Sequence, residues 1–114
     1  MRTIVFAAAL ILSVGSACAD TIAARQAQEH AGQTVTVEGI LTDVHAARSG
    51  ARFLDIEGAY PNNAFAAVIF KADAGKFSDV ELLRGKTVEV TGSIQLYNGR
   101  PEIILNDPGQ LKAK

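Results

Sequence analysis

The 114-residue sequence has few of the residues that carry covalent or redox chemistry. It contains one cysteine, one methionine and no tryptophan, and a single thiol excludes a disulfide framework within the chain. Eleven basic and twelve acidic residues leave a net charge of −1, without the basic excess of a strong nucleic-acid binder. A chain of this length forms one small domain, which excludes a multidomain enzyme.

An apolar run at the N-terminus has the pattern of a signal peptide. Residues 4–14 are apolar apart from one serine, and the small residues Ala17-Cys18-Ala19 follow. A run of 11 residues is too short to span a bilayer core about 30 Å thick, and the A-x-A pattern is typical of a cleavage site. We therefore expect residues 1–19 to be a signal peptide cleaved after Ala19, and residues 20–114 to form a single periplasmic or secreted domain.

Cys18 offers an alternative, in which the exported protein begins at a lipid-modified cysteine. Lipoprotein signals usually have leucine three residues before that cysteine, where this sequence has Gly15. Free export is therefore the prediction, with a lipid anchor or an uncleaved anchor as alternatives. After cleavage the domain retains ten basic and twelve acidic residues, a net charge of −2, and neither cysteine nor methionine.

The remaining sequence predicts two helices and five strands. Helices are predicted over 21–31, where Thr21 can cap and alanine is frequent, and over 73–83, where Phe77 and Val80 face inward with Leu82 or Leu83. Period-two alternation or a short apolar run predicts strands over 34–45, 52–57, 65–71, 87–97 and 101–106. Asn98-Gly99 predicts a type I′ hairpin turn, because both central residues of that turn need positive φ.

Two of the predicted strands share a sequence pattern. Residues 32–39, GQTVTVEG, match residues 85–92, GKTVEVTG. Two units are too few for a solenoid. A glycine within a strand indicates a bulge or a sharp bend, and the apolar phase changes after Gly39. We therefore interpret Gly39 and Gly92 as corners where two long strands bend round a small barrel.

The order of helix, three strands, helix and two strands is that of an OB-fold, a five-stranded Greek-key barrel. The sequence therefore predicts an all-β domain with little helix. Residues 32–111 also resemble the small bacterial OB-fold domains of the nucleic-acid-binding type, through GQTVTVEG, SGARFLDI, AYPNNAFAAVIF, GKTVEVTGSIQLYNGRPEIIL and DPGQL. The resemblance implies a module, not an enzyme, that binds single-stranded DNA or RNA weakly.

The usual ligand surface of an OB-fold suggests where such binding would occur. Ligands lie across strands two and three, between the first-to-second and fourth-to-fifth loops, and single strands need cations for phosphates and aromatic faces for bases. The candidate ligand-binding residues in these regions are Arg48, Arg52, Tyr60, Lys71, Tyr97 and Arg100. Phe53, Phe65 and Phe70 are expected in the core or against a helix.

The sequence predicts no metal, cofactor or catalytic group. His30 and His45 have neither paired cysteines nor a third ligand at metal spacing. A nuclease is a minor alternative, based on Asp43, Asp55 and Arg100. The main alternative is an envelope module that binds a protein or a glycan, which the acidic balance and the export signal favour.

Overall fold

Eight strands and four short 3₁₀ helices make up the part of the chain that this computed structural model describes, residues 20–114. The expected signal peptide, its cleavage site after Ala19 and the alternative anchor at Cys18 lie outside the described residues. Over residues 20–114, no helix has both the length and the apolar character needed to cross a membrane.

The strands form one sheet. They are β1 (Thr21–Ala23), β2 (Thr34–Ala46), β3 (Arg52–Ile56), β4 (Phe65–Ile69), β5 (Thr87–Ser93), β6 (Gln95–Tyr97), β7 (Arg100–Leu105) and β8 (Leu111–Ala113). The 3₁₀ helices are Ala24–His30, Lys71–Phe77, Val80–Leu83 and Pro108–Gln110. The hydrogen-bonded order is β6–β7–β4–β3–β2–β5–β8, with β1 beside β2. The predicted all-β class is confirmed, whereas the predicted count of five strands is wrong.

The higher strand count comes from short pieces. Residues 87–97 form β5 and β6, which are separated at Ile94. The Ile94 backbone bonds instead to the turn before β2: its N–H donates to Gln33 O, and its carbonyl accepts from Gly32 N. β1 and β8 have three residues each and border β2 and β5. A strand of three residues is too short to show the period-two alternation by which strands are predicted from sequence.

The segment that contains β5 and β6 gives the sheet its OB-like arrangement. β5 pairs with β2, and β6 pairs with β7 at the other end of the strand order. One continuous segment, residues 87–97, therefore takes part in both ends of the sheet. The sheet therefore curls round a core. The largest side chains that are fully buried in it are Phe65, Leu41, Leu54, Ile56, Ile69, Ile94, Ile103 and Leu105.

The predicted N-terminal helix over 21–31 is wrong in type and extent. Ile22 pairs with Val37 as part of β1, which runs parallel to β2. The following 3₁₀ helix buries Ala24 and Ala27. A 3₁₀ helix repeats every three residues, so apolar residues at this spacing fill one face of it.

The same spacing explains the second correction. The predicted helix over 73–83 consists of two 3₁₀ helices, which bury Phe77 and Val80. Leu83 packs against the core, three residues further on, whereas Leu82 is 71% exposed. The inward residues again follow a period of three rather than 3.6.

The predicted bend in β2 is confirmed. β2 pairs with β5 as far as Ile40 and with β3 from Leu41 onward. A register shift falls between Leu41 and Asp43, and the inward phase changes from Leu41 to Val44. Such a shift is the signature of a β-bulge.

Gly39 and Gly92 lie where two layers of the structure approach closely. A Cβ at Gly39 would be 2.6 Å from Ile56 Cγ2, and one at Gly92 would be 2.6 Å from Ile103 Cγ2. Both isoleucines are fully buried, so neither can move aside easily. Gly92 also comes two residues before the break at Ile94.

Gly39→Ala and Gly92→Ala are therefore expected to lower the free energy of unfolding by about 1–3 kcal/mol each, the usual cost of overfilling a packed core. Gly75→Ala is the matched control, because a Cβ there has no heavy atom within 4 Å. Alanine at a compatible glycine position usually stabilises by about 0.4–1 kcal/mol. Urea denaturation measures all three, and unchanged stability of the first two variants would contradict the close packing.

Candidate ligand-binding cleft

The outer face of the sheet carries the side chains that alternate away from the core. In β3, Leu54 and Ile56 are fully buried, so Phe53 and Asp55 point to the opposite face. Asp55 pairs with Ala66, and Ala66 pairs with Glu102. One row across three strands therefore brings two carboxyl groups to the same face, separated by an alanine.

Four ring side chains line a cleft of about 270 Å³ on this face: His45, Phe53, Tyr60 and Tyr97. His45 and Phe53 are cross-strand partners in β2 and β3. Their rings stack with centroids 5.4 Å apart and planes at 14°. Tyr60 lies 6.4 Å from the His45 ring and is tilted against it. Tyr60 is 66% and Tyr97 64% exposed, so both offer a ring face to solvent.

Arg100 joins the two walls of the cleft. Asn98-Gly99 has φ values of 53° and 78°, as the predicted type I′ turn requires, and this turn leads directly into Arg100. Its guanidinium lies 4.9 Å from the Tyr60 ring centroid, within cation–π range. Its Nη2 donates to Pro61 O at 2.9 Å and to Asn63 Oδ1 at 2.7 Å. Arg100 thereby links the β6–β7 hairpin to the loop between β3 and β4.

The carboxyl groups of the cleft have raised pKa values. Burial raises the pKa of Asp55, which is 1% exposed, because its charged form loses hydration. His45 Nε2, 3.3 Å from Asp55 Oδ2, and the Tyr60 N–H, 3.4 Å from the same oxygen, act in the opposite direction. Burial also raises the pKa of Glu102, and Arg100 opposes that shift. Among the described residues that line the cleft, Arg100 is the single arginine or lysine.

Asp43 adds a third acidic group beside His45. It lies directly opposite Asp55 in the β2–β3 pairing, and ligand atoms of Asp43, His45 and Asp55 lie within 4.8 Å of one another. The spacing of residues along the sequence, which offers His45 no third ligand, does not predict this neighbourhood. Arg84 Nη1 donates to Asp43 Oδ1 at 2.6 Å, and its Nη2 donates to Glu81 Oε1 at 2.9 Å. Like charges directly opposite on a sheet repel, and Arg84 offsets this repulsion from one side.

Three of the six residues predicted to bind ligand meet in the cleft: Tyr60, Tyr97 and Arg100. Tyr60 lies in the loop between β3 and β4, whereas Tyr97 ends β6 and Arg100 begins β7. The contact between Arg100 and Tyr60 brings this loop and the β6–β7 hairpin together.

The other three predicted residues, Arg48, Arg52 and Lys71, are not among those that line the cleft. Arg52 lies on the same side of β3 as the buried Leu54. Arg48 is exposed in the loop between β2 and β3. Lys71 follows β4, and its aliphatic carbons lie over Gly50.

Sequence reasoning does not identify His45, Phe53, Asp55 or Glu102 as cleft residues. The available signal is the alternation in β3, which places Phe53 and Asp55 on the face opposite the core. The expectation of a core position is right for Phe65, which is 1% exposed, and wrong for Phe53, which lines the cleft.

A more apolar groove of about 480 Å³ adjoins the cleft. The two depressions share Phe53, Tyr97 and Glu102. Phe70 and Leu96 also line the groove and are 49% and 48% exposed, so the expected core position of Phe70 is wrong as well. Cleft and groove form one continuous surface.

No protein-family model and no curated protein sequence matches the chain. Among solved structures, an OBody bound to hen egg-white lysozyme is 14% identical, with a TM-score of 0.61 over 88% of this chain and 98% of that one. Asparaginyl-tRNA synthetase from Pyrococcus horikoshii is 19% identical, with a TM-score of 0.58 over 81% of this chain and 22% of the synthetase. Asparaginyl-tRNA synthetase from Entamoeba histolytica, in complex with asparaginyl-adenylate, is 20% identical, with a TM-score of 0.58 over 86% of this chain and 24% of the synthetase.

The chain thus spans less than a quarter of the matched synthetases and nearly all of the OBody. At such low identity these likenesses concern the fold. They agree with the OB-like order of the strands.

Glu102→Gln is expected to increase stability at neutral pH. Because the pKa of Glu102 is raised in the folded state, the folded protein binds more protons than the unfolded chain, and the free energy of unfolding falls as pH rises above the ordinary value of 4.5. The variant lacks this loss. Its advantage should be largest above the folded-state pKa and disappear below 4.5. Denaturation midpoints at several pH values measure it, with Glu29→Gln as an exposed control. A constant difference at all pH values would contradict the assignment.

Proposed function

We propose that this protein is an exported module that binds single-stranded nucleic acid weakly, through the cleft between Tyr60 and Tyr97. The observation that carries the proposal is the set of ring faces gathered on the outer face of the sheet. Every base has a π-face, so stacking on such rings tolerates different sequences and contributes about 1–3 kcal/mol per base. Export rests on the N-terminal sequence pattern.

The structural neighbours support binding through this fold rather than a particular ligand. Two are tRNA synthetases, and the third is bound to a protein. Because the chain spans less than a quarter of each synthetase, we propose a binding role and no synthetase activity.

The groove beside the cleft extends the proposed surface. A base stacked on Tyr97 would have a neighbour beside Phe70 and Leu96, which are half exposed. Ser49 and Phe70 line the groove. Arg48 comes directly before Ser49 in the sequence, and Lys71 comes directly after Phe70. We propose that these two cations contact phosphates at the far end of the groove, and Arg100 at the near end.

Electrostatics make the proposed binding weak. Asp55 and Glu102, the two carboxyl groups that line the cleft, disfavour phosphate. The predicted net charge after cleavage is −2. Attraction therefore depends on single arginine or lysine contacts. The salt slope is the decrease in the logarithm of the binding constant per unit increase in the logarithm of the salt concentration, and each contact adds about 0.7 to it for a single strand. Stacking contributes most of the affinity and is insensitive to salt.

A glycan is the second candidate ligand, and Asp55 and Glu102 are the observation that favours it. Carboxyl groups accept hydrogen bonds from sugar hydroxyls, and a neutral glycan suffers no repulsion from them. OB-folds bind oligosaccharides as well as oligonucleotides.

Titration of a labelled single-stranded oligonucleotide at several salt concentrations tests the proposal. Tyr97→Ala should weaken binding by about 1–3 kcal/mol without changing the salt slope. Arg100→Ala should reduce the slope by about 0.7. Lys112→Ala replaces an exposed lysine of β8 that lines neither the cleft nor the groove; it is the control for removal of one positive charge and should bind like the wild type.

Absence of binding at low salt, or binding that Tyr97→Ala leaves unchanged, would refute the nucleic-acid proposal. The same wild-type protein titrated with neutral oligosaccharides then tests the second candidate. Binding of a glycan that Tyr97→Ala abolishes would assign the cleft to sugars.

A further inference from the structure

The contact between His45 and Asp55 leaves a polar atom without a hydrogen-bond partner. His45 Nε2 is buried, although the His45 side chain as a whole is 40% exposed, and it makes no well-aligned hydrogen bond to a described residue; its contact with Asp55 Oδ2, at 3.3 Å, is long. The Asp55 side chain is itself 2% exposed. Its recorded hydrogen bond is a long one, from the Tyr60 N–H at 3.4 Å. Buried polar atoms in proteins are nearly always satisfied, so this pair calls for a further partner.

Asp43 is the third possible metal ligand beside His45 and Asp55. It reaches the outer face of β2 two residues before His45, and Asp55 faces it from β3. The three ligand atoms lie within 4.8 Å of one another. Typical Zn–N and Zn–O distances of about 2.0–2.2 Å bring ligand atoms within about 4 Å of each other. The ligand atoms therefore need to approach one another by about 1 Å. Asp43 and His45 are partly exposed, and they would make this shift while Arg84 holds Asp43 Oδ1 and the His45 ring stacks on Phe53.

We infer that Asp43, His45 and Asp55 bind one divalent transition-metal ion, Zn²⁺, at the β2–β3 edge of the cleft. The ion would accept the unpartnered imidazole nitrogen and one oxygen from each carboxylate. It would also neutralise two acidic groups that the strand register places opposite each other. This inference is independent of the proposed nucleic-acid binding, because all three ligands belong to the chain.

The donor set decides the kind of metal. Zn²⁺ binds nitrogen and carboxylate oxygen together, whereas Ca²⁺ and Mg²⁺ prefer oxygen alone. Three protein ligands leave a further coordination position for water or a bound ligand. His45 and Asp55 both line the cleft, so that position would be accessible from it.

Arg84 is compatible with the ion. Its Nη1 bonds one oxygen of Asp43, Oδ1, and a carboxylate has a second. Arg84 is also held by Glu81 and by the Val44 carbonyl, which accepts from Nη2 at 3.3 Å. One guanidinium against two carboxylates leaves a net negative charge for a divalent cation to offset.

Calorimetric titration with Zn²⁺ tests the site, on tag-free full-length protein that carries Cys18→Ser to remove the one thiol. We expect a 1:1 complex. His45→Gln and Asp43→Asn should each weaken it about tenfold or more. Both replace partly exposed side chains, and circular dichroism checks that they fold. His30→Gln, in the first 3₁₀ helix, and Asp79→Asn, an exposed aspartate, are the matched controls and should bind Zn²⁺ like the parent protein.

Imidazole ¹⁵N chemical shifts give a second readout, since Zn²⁺ should move the Nε2 resonance of His45 and leave His30 unchanged. No binding to the parent protein, equal binding by His45→Gln, or equal loss in the two controls would overturn the inference. Tighter binding of Mg²⁺ or Ca²⁺ than of Zn²⁺ would overturn it as well, because it would indicate a site without nitrogen.

Discussion

The pairing of β2 with β5 is the constraint on which the rest of the structure depends. Val37 and Val90 face each other at its centre and are fully buried. On either side, each strand has a glycine that packs against a core isoleucine. Beyond these glycines, β2 continues beside β3, and the segment of β5 continues as β6 beside β7. β3 and the β6–β7 hairpin, which carry most of the cleft residues, therefore lie next to the continuations of these two strands.

The cleft follows from this geometry, because its walls come from segments that only the curled sheet brings together. β2 and β3 supply the stacked rings of His45 and Phe53 and the buried carboxyl group of Asp55, and the β6–β7 hairpin supplies Tyr97 and Arg100. The bonds from Arg100 to the loop after β3 then fix the distance between the walls. The resulting surface is rich in ring faces and poor in cations, which favours stacking over phosphate attraction as the source of affinity.

The strands and the hairpin turn could be predicted from local patterns, since alternation and Asn98-Gly99 act over a few residues. Helix type could not be predicted from composition, because alanine-rich residues 21–31 are divided between strand pairing with Val37 and a single 3₁₀ helix. The inner position of Arg52 follows from the alternation of β3, in which Arg52 shares a face with Leu54 and Ile56. The position of Arg100 against Tyr60 depends on a contact between distant segments, which no local pattern gives. The meeting of Asp43 with Asp55 depends on the register shift after Leu41, which the change of apolar phase indicates without giving its partners.

Chemical-shift mapping tests the central claim, that the ligand surface is the aromatic cleft, most directly. A short single-stranded oligonucleotide is added to labelled protein at low salt, and backbone amide and aromatic resonances are followed. The account predicts the largest changes at Phe53, Tyr60, Tyr97 and Arg100, with β1 and β8 unaffected. Saturable changes confined to other surfaces, or no changes at all, would contradict it.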